Sequence, residues 1–216
     1  MARAYKWVGG IGYVLTFIPY VNFVASILVA IAWIMMGRDK DQRLFTVTGI
    51  LMILVFISSI AFAGAVFAMA PGILASIPTM EGAPPLGLLK NVLAHLKIMV
   101  ALAVAMAALA LATVIAEIAA HFRASRIFQS TWFKVGGWLR VGGVIGLIIA
   151  VPVAIWSVLQ MRGVLAGMTP RTATEAVFGI LMGMFWPLIL VAILGILATI
   201  FSAIAFFTIP EEAVQR

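Results

Sequence analysis

Few side chains in this sequence are equipped for chemistry, and their spacing limits what that chemistry would be. Glu117 and His121 stand four residues apart, which on a helix places a carboxylate and an imidazole on one face within pairing distance. With no third group alongside them, the pair reads as a polar site near a helix end rather than a general acid–base device. His95 and His121 would lie about 39 Å apart along a single helix, so they cannot jointly ligate one haem, even with 12 methionines in the chain. The sequence contains no cysteine, which removes disulfides, thiolate metal sites and thiol nucleophiles. A phosphate-binding glycine loop, an HExxH zinc motif and a nucleophile elbow are also absent. No catalytic, cofactor-binding or metal-binding residue is therefore expected, and the chain is read as a non-enzyme.

The elements that would position these groups are dictated by composition. Of 216 residues 65% are hydrophobic and only 10% are charged, far from the near-half apolar and quarter charged content of soluble domains. The apolar residues form runs longer than the ~20 residues a helix needs to cross the hydrocarbon core. They lack the alternation of barrel strands, and every backbone polar group in lipid must be paired within its own segment. The expectation is an all-α, polytopic transmembrane helix bundle forming a single domain in the cell membrane.

About five membrane segments are predicted, over residues 7–36, 44–68, 90–120, 135–160 and 176–207. The first is too long for a straight span, and Pro19 inside it implies either one bent span or a re-entrant hairpin. Pro71 is expected to close the second segment. The stretch 71–89 reads as a linker with four prolines and one charge, Glu81, docked against protein or lipid. Arg123 to Lys134 reads as an interfacial segment anchored by Phe128, Trp132 and Phe133.

The net charge of +7 comes from basic residues spread thinly over loops, which points to membrane orientation rather than nucleic acid. Five simple crossings would set eight basic residues on the cytoplasmic side against six outside, whereas a re-entrant first segment makes the split ten against four. Charge favours the hairpin and segment length favours the bent span.

Small residues supply the strongest packing signal. Ala101, Ala105, Ala108, Ala112 and Ala119 form a stripe on one face of the third segment. Gly142 with Gly146, and Gly179 with Gly183, form G-x-x-x-G pairs that allow helices to approach closely. An internal repeat is also suggested: Val8-Gly9-Gly10-Ile11 and Pro19 match Val141-Gly142-Gly143-Val144 and Pro152 at a common offset of 133 residues.

The runs Gly10-Ile11-Gly12-Tyr13-Val14-Leu15, Phe133-Lys134-Val135-Gly136-Gly137 and Ala205-Phe206-Phe207-Thr208-Ile209-Pro210 resemble an uncharacterised, mainly archaeal family of multi-pass membrane proteins. That resemblance implies an archaeal membrane and carries no activity with it. The function expected from the residues is a non-catalytic subunit or scaffold, with lipids and other membrane subunits or further copies of the chain as partners. It would serve as an accessory subunit of a respiratory or transport complex. The alternative is a small channel or carrier built from two related halves, and a haem-bearing electron-transfer subunit is the weaker third reading.

Overall fold

A computed structural model describes residues 4–75, 86–165 and 170–210, with side chains chiefly over 4–68, 97–157 and 185–210. All the regular structure in these residues is helical: α1 (Ala4–Leu15), α2 (Asn22–Asp39), α3 (Arg43–Ala75), α4 (Leu86–Phe128), α5 (Thr131–Leu165) and α6 (Pro170–Phe207). Five stretches are long and apolar enough to cross a membrane: Asn22–Asp39, Arg43–Ala68, Lys97–Phe128, Thr131–Ser157 and Phe185–Phe207. The protein is thus an all-α, multi-pass bundle.

The first apolar segment is not one bent span. Its hydrogen bonding tightens to three-residue steps at Phe17 and Ile18, and Tyr20 then takes a left-handed φ of 67° beside Pro19. A proline has no N–H to continue the ladder and disfavours helix in the residue before it. The chain turns back, and α1 packs against α2. A Cβ on Gly12 would lie 2.9 Å from Val29 Cγ2 and 3.0 Å from the Val29 backbone nitrogen, so only glycine permits this approach. The 12 residues of α1 make a half-span and the 18 of α2 a full one. The chain turns back at Pro19 as the hairpin expectation has it, but the second arm is not the short one expected: α2 is long enough to span, and the single bent crossing over 7–36 is corrected.

Two other boundaries move. α4 continues through Arg123 to Phe128, and Thr131 already opens α5, so the interfacial segment expected over 123–134 is instead a tight helix–helix corner. Gln129 sits there at φ 50° while the Ser130 N–H reaches the Ser125 carbonyl. Asp41 repeats the arrangement at φ 48°, with the Gln42 N–H on the Gly37 carbonyl. In both, a left-handed residue lets the next N–H satisfy a carbonyl that the helix end leaves unpaired, which is the Schellman closure. At the other end, Pro71 lies within α3 rather than closing it. Most of the expected linker, residues 76–85, falls outside the described residues.

The helices form a closed ring. Each packs chiefly on its sequence neighbours, and α1 against α6 completes the circle. Lys6 Nζ donates to the Ile209 carbonyl at 3.1 Å, Arg123 Nε donates to Gln42 Oε1 at 3.0 Å, and Lys40 Nζ lies 5.9 Å over the Phe128 ring. These contacts gather the start of α1, the α2–α3 and α4–α5 corners and the end of α6 at one end of the ring. Lys6, Arg38, Lys40, Arg43, Arg123, Arg126 and Lys134 lie toward this basic end. Lys90, Lys97, Arg162 and Arg171 belong to the opposite, far end of their helices. The start of α1 therefore lies at the same end of the ring as the basic corners, the arrangement expected of the ten-against-four split.

Inside the basic end the ring is filled. Trp33 is the hub, with ring centroids of Phe206 at 5.3 Å, Phe45 at 5.4 Å and Phe133 at 6.3 Å, all fully buried. Lipid is as apolar as these side chains, so close packing rather than exclusion from water holds them together.

Candidate functional site

Directly above the aromatic plug, five helices converge on one polar network. Trp33 Nε1–H donates to Tyr13 Oη at 3.1 Å, and Tyr13 O–H donates to Glu117 Oε1 at 2.7 Å. Arg140 Nη2 meets the same carboxylate oxygen at 2.7 Å, closing an ion pair between α4 and α5. Arg140 Nη1 donates to Ser202 Oγ at 2.7 Å and reaches the Gly136 and Ala198 carbonyls at 3.3 Å each. The guanidinium also lies 5.6 Å from the Tyr13 ring centroid, within cation–π range. A buried charge is tolerated only when paired and hydrogen-bonded, and this one has both kinds of support.

His121 belongs to the network without pairing with the Glu117 carboxylate. Its Nδ1 lies 2.8 Å from the Glu117 backbone carbonyl, and its Nε2 lies 2.9 Å from Ser202 Oγ. A carbonyl only accepts, so Nδ1 carries the proton. In the neutral imidazole Nε2 then accepts from the Ser202 hydroxyl. Ser202 Oγ also sits 2.7 Å from the Ala198 carbonyl and has a single hydrogen for the two acceptors. The expectation of a Glu117–His121 side-chain pair is corrected: the two share a helix face, but the carboxylate turns to Arg140 and Tyr13.

Glu117 also lies deeper than expected. Because α4 runs on to Phe128, the carboxylate stands eleven residues, or about 16 Å, inside the helix end. Arg140 was the missed partner. One signal for it was present: Glu117 is twelve residues before the Gln129 corner and Arg140 eleven after it, so an antiparallel pair turning there sets the two charges level. Tyr13, Trp33 and Ser202 carried no comparable signal, since their meeting depends on the ring closing through α1 and α6.

The network forms the floor of a cavity of about 370 Å³ inside the ring. Tyr13 of α1, Ser26 of α2, Ser59 of α3, Glu117 of α4, Arg140 of α5 and Thr199 of α6 all line it. Thr113 is buried near the floor, whereas Ser26 and Ser59 are exposed at the mouth. The lumen is thus closed by aromatic side chains toward the basic end and opens away from it. The chain matches no family model, no curated protein and no solved structure. The lumen must therefore be understood from its own chemistry.

The small residues selected from sequence are distributed unevenly. Gly146 meets Val191 Cγ2, which a Cβ would approach to 2.9 Å, and Gly142 faces Leu194 Cδ1 at 3.6 Å, so this pair serves the α5–α6 contact. Nothing lies within 4 Å of a Cβ on Gly183, and the surroundings of Gly179 fall outside the described residues. Ala101, Ala105, Ala108 and Ala112 are exposed, and so is Ala119. The closest glycine contacts lie elsewhere: a Cβ on Gly49 would come within 2.4 Å of the Ala30 carbonyl oxygen, and Gly9 faces the Phe206 ring. The repeat partners also differ in setting, since α1 stops before Pro19 while α5 continues through Pro152.

Proposed function

We propose that the protein is a small, non-catalytic carrier that admits a polar solute into a lumen closed at its basic end. The observation that carries this reading is one cavity lined from all six helices, with an ion pair at its floor and a sealed aromatic layer beneath. A purely structural bundle would gain more from filling that volume with apolar side chains, because buried ion pairs are weak contributors to stability. A concave pocket with a few convergent polar groups is the usual form of a small-molecule site. The excess of Lys and Arg at the basic end supports its placement in the cytoplasm of a cell membrane, with the lumen facing outward. The sequence resemblance supports an archaeal membrane.

A second reading, an accessory subunit or homo-oligomer, is favoured by Ala101, Ala105, Ala108 and Ala112, which stay exposed among the described residues. The two readings are compatible.

The absence of native cysteine makes the test direct. Single Ser59→Cys and Thr113→Cys variants in sealed vesicles should react with a membrane-impermeant thiol reagent from the far side. Ala203→Cys, buried in the plug, should not. Labelling of Thr113→Cys only after denaturation would refute the open lumen and with it the carrier.

A further inference from the structure

We infer that the lumen takes a small ligand whose recognised head is a positively charged, N–H-bearing group, a primary ammonium. This inference rests on the carrier reading and assigns its ligand class. The argument starts with which hydrogens are already occupied. Ser26, Ser59, Thr113 and Thr199 each direct their hydroxyl to the carbonyl four residues earlier, at 3.1, 2.8, 2.8 and 2.9 Å, and Thr16 directs its own to the Tyr13 carbonyl at 2.6 Å. A hydroxyl has one hydrogen and two lone pairs. With the hydrogen turned back on its own chain, each of the five presents only acceptor lone pairs to the cavity that they line. A wall of hydroxyls has become a wall of acceptors.

The floor adds a charged acceptor. Glu117 receives both Tyr13 and Arg140 on a single oxygen, Oε1, and among the described residues Oε2 has no hydrogen-bond partner. That oxygen is not a sealed, unsatisfied atom, and Glu117 lines the lumen. Arg140 Nη1 is occupied by Ser202 and two backbone carbonyls, and Nη2 holds Glu117. The five acceptor hydroxyls and the carboxylate together decide the sign of the ligand. An anion would face the Glu117 carboxylate and hydroxyls whose hydrogens are already committed, whereas an ammonium needs only the free carboxylate oxygen and the hydroxyl oxygens above it. The Tyr13 and Phe56 side chains beside the cavity supply aromatic surface that also tolerates a cation. Charge-assisted hydrogen bonds to a desolvated carboxylate are among the stronger recognition contacts, and a ligand without N–H donors cannot make them.

The test uses the full chain in nanodiscs of uncharged lipid, titrated by calorimetry with ethylammonium, tetramethylammonium, acetate and glycine. Ethylammonium should bind saturably, and tetramethylammonium, equal in charge but without N–H, at least tenfold more weakly. Glu117→Gln should reduce ethylammonium affinity at least tenfold. Should that variant fail to fold, Thr113→Val, which removes one acceptor at nearly constant volume, should still reduce affinity severalfold. Tetramethylammonium binding as well as ethylammonium would overturn the donor requirement. Acetate or glycine binding in place of ethylammonium, or no binding while Thr113→Cys remains open to thiol reagents, would overturn the ligand class and leave the carrier reading standing. No binding together with a lumen closed to those reagents would overturn both.

Discussion

The two ends of this bundle are built from the same kinds of helix and yet solve different problems. Toward the basic end, large aromatic side chains interlock and the glycines are forced: a Cβ at Gly9, Gly10, Gly12, Gly37 or Gly49 would meet a neighbouring side chain or backbone at 3.0 Å or less. Farther from that end most of the described glycines stand free, with nothing within 4 Å of Gly64, Gly143, Gly183 or Gly195, and Gly146 against Val191 is the exception. Within the apolar windows, 39% of the residues in α2 are buried and none in α3. In lipid, helices associate where side chains mesh or polar groups pair, and hydrophobicity alone gives them no reason to close. The basic end has both causes. Among the described residues the far half has fewer of both, chiefly Gly146 on Val191 and Phe23 on Phe56, so more of its faces are left for lipid, solute or another subunit.

Removing the hub should break this comparison most severely. Trp33→Ala leaves a cavity at the centre of the plug and deletes the donor to Tyr13, and it should lower stability by about 3–5 kcal/mol in denaturant titration of the detergent-solubilised protein. A loss under 1 kcal/mol would mean that the aromatic layer is not what closes the ring. Next in size is the ion pair. Glu117→Gln keeps the shape and an acceptor while removing the charge that holds Arg140, and about 1.5–3 kcal/mol should be lost in the same assay. The paired change Glu117→Leu with Arg140→Met should recover part of that loss, because two apolar side chains leave no charge stranded.

The glycines sharpen the contrast further, because one substitution should have opposite signs at the two ends. Gly49→Ala drives a methyl into the Ala30 carbonyl and should destabilise by about 1–3 kcal/mol. Gly64→Ala meets open space on a helix and should stabilise by about 0.5–1 kcal/mol. Equal effects would show that the difference in packing between the two ends is not real. The smallest expected effect is Ala105→Leu. On an exposed face it should leave the isolated chain's unfolding within about 0.5 kcal/mol of the parent. If that face meets another copy, size-exclusion with light scattering should show the oligomer dissociating; an unchanged oligomer would assign the stripe to lipid.

Composition and segment length determined on their own that the chain is a bundle of membrane helices, because lipid admits few other backbones and apolar runs of this length have no other solvent. The turn at Pro19 was half legible: proline removes a hydrogen bond wherever it falls, but only the fit of Gly12 against Val29 folds α1 back rather than bending it onward. Glu117 was visible as a rare charge, and its depth was not, since that depended on where α4 ends. Its partner depended on more distant events still. Tyr13, Arg140 and Ser202 lie 104, 23 and 62 positions away from Glu117 or from one another along their hydrogen bonds. Periodicity describes each helix separately and says nothing of how a ring closes. The lumen exists because α1 meets α6, and that contact is a property of the packed ring rather than of any one segment.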